Sequence, residues 1–265
     1  RGWSRRRENR AVAGSDGFVE ASGLWGRVDE VPPREAARRA LRLRAGGGLS
    51  FEPRTEGTNA VDEDVSDPSK PVPYTADQST TYPRSYPIED QRFVASRPDV
   101  LVYQTGVLDE DLTLAGPIEV TLQVSTSGTD ADWVVKVIDV YPGDFPNPEP
   151  NPGEVKLGGN QQLVRGDVFR GKFRNSFEKP EAFEPGKVTK IQFTMPDILH
   201  AFRRGHRLMV QVQSSWFPLV DRNPQTFVNI PTAKPEDFRK ATHRIYRGGS
   251  AVSSVTVQVL ARQKP

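Results

Sequence analysis

From residue 93 onward, short segments repeatedly alternate apolar and polar residues with a period of two. That pattern restricts the chain to half-buried strands rather than amphipathic helices. Along 118–124, Ile118, Val120, Leu122 and Val124 face one way while Glu119, Thr121 and Gln123 face the other. Along 207–213, Leu208, Val210 and Val212 oppose Arg207, Met209, Gln211 and Gln213. Segments 187–195 and 251–260 repeat the pattern, the second with a break in its first step, and 133–141 carries it on β-branched residues. Two shorter runs, 40–44 and 100–103, also read as strands. Twenty-two glycines and 23 prolines punctuate the chain, with Gly-Pro, Pro-Gly and Gly-Gly turns between the runs. Many strands at short spacing predict an all-β fold, a two-sheet antiparallel jelly-roll sandwich with a few short helices. Two helices are expected: 196–202, with Pro196 at its start and Gly205 just past its end, and 234–241, with Pro235 in its first turn.

Two domains of unequal character are expected. Residues 1–37 are rich in Arg, Gly and Ala with poor periodicity, and Pro32-Pro33 closes them as an extended hinge. They read as a linker or remnant, and 38–265 reads as the sandwich. Within the sandwich, an irregular stretch up to residue 92 is rich in Pro, Asp, Ser and Thr. A structureless run of that length in a compact domain is usually functional or interfacial.

Charge and cysteine usage narrow the function classes. The net charge is +2, but residues 1–44 hold eleven arginines against six acids. Such a head is either a nucleic-acid arm or a solvated or interdomain segment. No aromatic residues interleave with the arginines to stack bases, so the second reading is taken and no nucleic-acid partner is expected. With no cysteine, disulfides, thiolate metal sites and a thiol nucleophile are excluded. No apolar run approaches the 18 residues of a membrane span, and the N-terminus lacks the apolar region of a signal peptide, so no membrane partner is expected. A chain opening Arg1-Gly2-Trp3 without Met reads as a piece of something longer. Its compartment and substrate are not written in the sequence.

The chemistry-bearing residues do not assemble a catalytic motif. A serine nucleophile of the α/β-hydrolase type sits on a sharp turn flanked by glycines, G-x-S-x-G, and neither Gly249-Ser250 nor Ser127-Gly128 has those flanks. His200, His206 and His243 fit no short metal spacing and read as structural or surface histidines. Asp130 and Asp132 are either Ca²⁺ ligands or turn residues capping backbone N–H groups. The missing glycine and distal glutamate of a calcium loop favour the turn. No catalytic, cofactor or metal residue is therefore assigned. The densest cluster runs from Gln211 to Pro224. Either Trp216 and Phe217 form a recognition surface, or they plug the sandwich end while Asp221 and Arg222 pin the loop. A domain interface lies between those readings.

At this cluster the chain resembles a family. The string Ser214-Ser215-Trp216-Phe217-Pro218-Leu219-Val220-Asp221-Arg222-Asn223-Pro224-Gln225-Thr226-Phe227 is similar to the C-terminal domain of the X-Pro dipeptidyl-peptidase, α-amino-acid ester hydrolase and cocaine esterase-like serine hydrolases. So are Asp67-Pro68-Ser69-Lys70-Pro71-Val72-Pro73-Tyr74 and Asp90-Gln91-Arg92-Phe93-Val94-Ala95-Ser96-Arg97-Pro98-Asp99-Val100-Leu101, together with 129–142, 170–180 and 234–246. There are departures: Val31 precedes Pro32-Pro33 where relatives carry Trp, and Arg42 and Arg44 stand where they carry Tyr and His. The resemblance implies a non-catalytic, galactose-binding-like jelly roll packed on a catalytic α/β-hydrolase domain, which is the expected partner. It also implies that the triad lies outside this chain and that no cofactor is needed. On that analogy Pro71, Val72, Pro73, Tyr74, Trp216 and Phe217, with Asp221 and Arg222, are the candidate cleft or interface contacts. A homo-oligomer is left open. The competing reading is a free-standing jelly-roll module that binds a ligand or carbohydrate.

Overall fold

Alternation decides which side chains reach the interior. The computed structural model describes residues 15–19, 24–28, 31–53, 56–57, 60–77, 83 and 86–260. Strands β1 (Ser15–Val19) and β2 (Leu24–Val28) form an antiparallel hairpin in the arginine-rich head. The remaining strands are β3 (Ala36–Arg44), β4 (Gly48–Ser50), β5 (Val61–Ser66), β6 (Val100–Gln104), β7 (Leu112–Thr126), β8 (Asp132–Val140), β9 (Gln161–Arg170), β10 (Thr189–Phe202), β11 (Arg207–Gln213), β12 (Ala241–Tyr246) and β13 (Ser254–Leu260). They form one folded 11-stranded sheet in the order β5-β12-β7-β13-β3-β4-β6-β11-β8-β9, with β10 paired to β7. Pairing is antiparallel except for a single parallel bridge between β4 and β6, Gly48 to Gln104. One four-residue helix, α1 (Arg92–Ala95), follows the irregular stretch.

The sheet folds over on itself around one core. Ile118, Val120, Leu122 and Val124 of β7 are fully buried, as are Val135 and Val137 of β8, Leu208 and Val210 of β11 and Val255 of β13. All belong to a single apolar cluster, although β7 does not pair with β8 or β11. The two halves of the sheet therefore face each other as the layers of an all-β sandwich. On the other face of β7, Glu119, Thr121 and Gln123 are only half-buried, as a period of two requires.

Two expected helices are corrected. Residues 196–202 are the second half of β10, where Ile198 pairs with Gly116 and Phe202 with Leu112. Pro196 and Asp197 sit at a register shift between Met195 and Ile198. The proline marks a bulge inside a long strand instead of a helix start, because it has no N–H to give the ladder. Gly116 is required opposite: its φ is 121°, and a Cβ there would lie 2.8 Å from Pro32 Cβ. Of 234–241, only Pro235–Asp237 turns, as a single 3₁₀ turn with Asp237 capping the Lys234 N–H, before β12 begins.

Strand β5 falls within the stretch read as irregular, because Val61-Asp62-Glu63-Asp64-Val65-Ser66 looks polar. Asp64 nevertheless points inward, buried opposite the buried His243 of β12. Burial, reinforced by Asp99 and Glu63, pushes its carboxyl up to about 8, so the residue enters the core protonated.

Two outcomes follow. Leu122→Ala should cost about 2–5 kcal/mol in denaturant unfolding and Thr121→Ala under about 0.5 kcal/mol; equal losses would contradict the two-faced strand. Between the ordinary carboxyl value and about 8, folded Asp64 holds a proton that the unfolded chain releases, so it makes stability fall as pH rises. Asp64→Asn should remove a slope approaching about 1.4 kcal/mol per pH unit in that window. An unchanged stability–pH profile would contradict a buried, neutral Asp64.

Candidate functional site

One half of the sheet is covered on both faces. Every residue of β8 from Asp132 to Asp139 is buried. Inward lie Trp133, Val135 and Val137, and outward lie Val134, Lys136 and Ile138. The outer faces of the neighbouring strands present Val100 and Val102 from β6 and Met209, Gln211 and Gln213 from β11. Such a surface needs a second cover, and the irregular stretch supplies it. We call residues 67–95 the strap. Val72 packs with Val94 and Val100, and Phe93 and Val102 close around them. Tyr74 packs with Val134 and Trp216, flanked by Tyr86, Leu163, Val168 and Leu219.

The two segments singled out in the sequence meet here. Tyr74 N–H donates to Phe217 O at 3.0 Å and Phe217 N–H to Val72 O at 3.0 Å, while Pro73 bridges Phe217 in parallel. Ser215 Oγ accepts from Val72 N–H at 2.8 Å. Pro71 is half-buried just before this ladder. Trp216 turns inward at 6% exposure and Phe217 outward at 37%. Tyr86 bridges Tyr74 and Trp216, with ring centroids 5.8 and 6.5 Å away. Arg222 stacks over Phe217 and Phe238, 5.3 and 5.1 Å from their centroids, and donates to Pro68 O at 2.9 Å, pinning the end loop to the strap. Asp221 is exposed, and its carbonyl accepts from Arg170.

Two residues at this site, Lys136 and Gly166, were not singled out. Lys136 is fully buried in the middle of β8, 5.1 Å from the Trp216 ring, with Nζ donating to Gln91 Oε1 at 3.0 Å. Burial draws its amine down to about 7, partly offset by attraction to Glu89. Gly166 of β9 lies opposite Lys136, and a Cβ there would come within 2.8 Å of Trp216 Cη2. A lysine inside Trp133-Val134-Val135-Lys136-Val137-Ile138 was the available signal, since a charge in a run of core residues needs a partner.

The acids and histidines resolve into structural roles. Asp130 Oδ1 accepts from Ala131 N–H, as a turn cap, and Asp130 Oδ2 lies 3.6 Å from Lys172 Nζ. Lys172 in turn donates to Val228 O at 3.0 Å. Asp132 takes Asn223 Nδ2 at 2.8 Å and lies 3.3 Å from Arg170. These contacts hold the end loop 223–228 against the sandwich, with basic side chains in the places a cation would need. Asp139 is bracketed by His200 Nε2 at 3.0 Å and His206 Nδ1 at 2.8 Å. A base and its orienting acid are present, but all three groups are sealed in the interior, where no substrate reaches them. Burial lowers His243 to about 4, holding it neutral. Among the described residues, no group of three or more His, Cys, Asp or Glu is arranged to hold a metal ion. A cavity of about 300 Å³ lies elsewhere, between β5 and β6. Its Asp62 is engaged by Tyr103 Oη at 2.7 Å and Arg247 Nε at 2.6 Å.

Comparison with known proteins identifies the family. Residues 3–256 match the model of the X-Pro dipeptidyl-peptidase C-terminal non-catalytic domain. An aminopeptidase from a marine sediment Thaumarchaeota archaeon superposes with a TM-score of 0.85 at 44% identity, covering 93% of this chain and 40% of that one. An α-amino acid ester hydrolase superposes with a TM-score of 0.79 at 42% identity, covering 89% of this chain and 39% of that one. Cocaine esterase from Rhodococcus sp. (strain MB1 Bresler) is 30% identical over 216 residues, which are 82% of this chain and 35% of that protein. This chain thus spans well under half the length of the relatives it matches.

The close fit of Gly166, Trp216 and Lys136 has a direct consequence. Gly166→Ala should destabilise by about 1–3 kcal/mol through overpacking, and the loss should shrink when Trp216→Phe is added. A double-mutant cycle by chemical denaturation checks this, and simple additivity would contradict the contact.

Proposed function

Because this chain belongs to the X-Pro dipeptidyl-peptidase C-terminal non-catalytic domain family, we propose that it is the accessory wall of an α/β-hydrolase-type serine enzyme, packing on the catalytic domain and shaping its substrate cleft. In this reading residues 1–37 lead in from the catalytic domain and 38–265 form the wall. The reaction it serves is acyl transfer from an amino-acid ester, amide or peptide to water through a serine ester. Nucleophile, base and oxyanion hole come from the partner.

The observation that carries the reading is a set of large apolar side chains that this domain leaves uncovered. Phe177 is 80% and Ile88 76% exposed, and Phe217 and Phe227 are also open. Ile88 lies on the strap, and Phe217 joins the strap to the end loop through its ladder and the Arg222 stack. Phe227 is tied by its N–H to Thr129, and Phe183, from the loop that carries Phe177, is tied to Thr129 as well. Exposed large apolar groups held on neighbouring loops fit an interdomain contact. The carbohydrate-module reading is disfavoured, since Trp216, the indole that reading would use as its platform, is sealed under the strap.

The purified chain should neither hydrolyse a chromogenic α-amino ester nor react with a fluorophosphonate, and turnover lost on serine labelling would overturn the proposal. Phe177→Ser with Phe227→Ser should leave the chain's own stability within about 0.5 kcal/mol while weakening capture of the catalytic domain at least tenfold. Unchanged capture would place the interface elsewhere.

A further inference from the structure

Phe177 is the most exposed large apolar side chain among the described residues, and it sits on a loop that is braced from within. Residues 171–187 join β9 to β10. Both limbs of this loop are tied to the sandwich. Gly171 N–H donates to Ala131 O at 2.9 Å, Phe183 N–H to Thr129 O at 2.9 Å and Gly186 N–H to Thr126 O at 2.8 Å. Phe183 itself is buried in the main core. Between these ties Arg174 bridges the limbs. Its Nη1 donates to Gly171 O at 3.3 Å and to Glu181 O at 2.7 Å, and its Nη2 donates to Ala182 O at 2.8 Å. Its guanidinium lies 4.5 Å from the centroid of the Phe183 ring. Glu181 N–H donates back to Lys172 O at 2.8 Å. A planar fork that takes several carbonyls at once fixes their relative positions, which a flexible ammonium does not.

The tip of the loop is shaped as well. Asn175 Nδ2 donates to Glu181 Oε2 at 2.7 Å, and Ser176 Oγ accepts from the N–H groups of Glu178 and Lys179, each at 3.1 Å. The Phe177 ring then lies 6.1 Å from the Phe173 ring at 27°, and 6.4 Å from Phe169, edge-on. Phe169 stacks in turn on Phe193 at 5.2 Å. The exposed ring is therefore the outer end of an aromatic column rooted in β9 and β10. A ring already held in place loses little freedom when it is buried by a partner, and that separates an anchor from an ordinary exposed side chain.

We propose that Phe177 is a preformed anchor that enters an apolar pocket of the catalytic domain, with Arg174 as the positioning residue that holds it ready. The proposal rests on the accessory-wall reading and names the side chain that carries the contact. Two observations select the occupant. This chain matches 40%, 39% and 35% of the length of three relatives, so the larger part of each is a neighbour that this domain is carried beside. A second copy of the chain is a poorer host, because its cavity between β5 and β6 is lined by Asp62 and Glu63, which a phenyl ring would strip of water without replacing it. Phe217 and Phe227 are less exposed, at 37% and 39%, and Arg222 already covers Phe217. They surround the anchor energetically as near-neutral contacts.

The experiment titrates the full chain and its variants against the separately expressed catalytic domain of the same enzyme and reads the dissociation constant. Phe177→Ala should weaken capture about thirtyfold, and Phe217→Ala and Phe227→Ala each less than about threefold. Arg174→Lys should weaken capture about tenfold in the wild-type chain but less than about twofold when Phe177→Ala is already present, because the arginine acts through that ring. An arginine with a merely structural role would weaken both backgrounds equally, and that result would remove Arg174 from the proposal. Should Arg174→Lys fail to fold, the three phenylalanine variants still decide where the anchor is. Unchanged capture by Phe177→Ala, or a larger loss from Phe227→Ala, would overturn the proposal and leave the accessory-wall reading standing. A wild-type chain that captures no catalytic domain would overturn that reading itself, so the two failures are told apart.

Discussion

A half-sheet with apolar residues on both faces has to be covered twice, and that requirement organises the rest of the molecule. The inner face of β6, β11, β8 and β9 meets the opposing half of the sheet across the core. The outer face would strand Val100, Val134 and Met209 in water if left open. Antiparallel sheets commonly solvate one face. Here the second face is closed by a segment whose described residues form only one 3₁₀ turn, Tyr86–Ile88, and the short helix α1. The described residues of the strap are held by their packing on Trp216 and by the short ladder with Phe217.

That arrangement links packing to function. Sealing Trp216 and Lys136 ties the strap down, and Ile88 and Phe217 are left exposed. The end loops are fixed in turn by the Asp130–Lys172 and Asp132–Asn223–Arg170 contacts. Polar chemistry in this domain is therefore used to hold apolar edges in place. The histidines follow the same logic: Asp139 ties β8 to His200 of β10 and to His206 next to β11 inside the fold. A domain built this way contributes surface and shape, consistent with a family whose members carry it beside a larger remaining part.

Much of this was legible in the sequence, and the failures have physical causes. Ile118 to Val124 and Leu208 to Val212 announced their faces because each inward residue is aliphatic and each outward one is not. Pro196 misled because proline signals both helix starts and strand bulges, and only the pairing of its neighbours Met195 and Ile198 with Ile118 and Gly116 of β7 decides between them. Strand β5 was hidden because its inward residue is an acid, made tolerable by protonation that no pattern records. The string around Trp216 and the Pro71–Tyr74 segment were both visible, but their pairing is a tertiary fact. Lys136 was passed over because a single lysine among valines does not break a strand pattern, although it changes what the strand can do.

Whether the strap belongs to the domain itself is best read at the indole it covers. Fluorotryptophan incorporated at the four tryptophans gives four ¹⁹F signals, and Trp216→Phe identifies one of them. In the isolated chain at pH 9, that signal should show almost no shift between light and heavy water, because the seated strap excludes solvent. A full solvent isotope shift at Trp216 would mean that the outer face is open without a partner, and the account of a self-covered half-sheet would not stand.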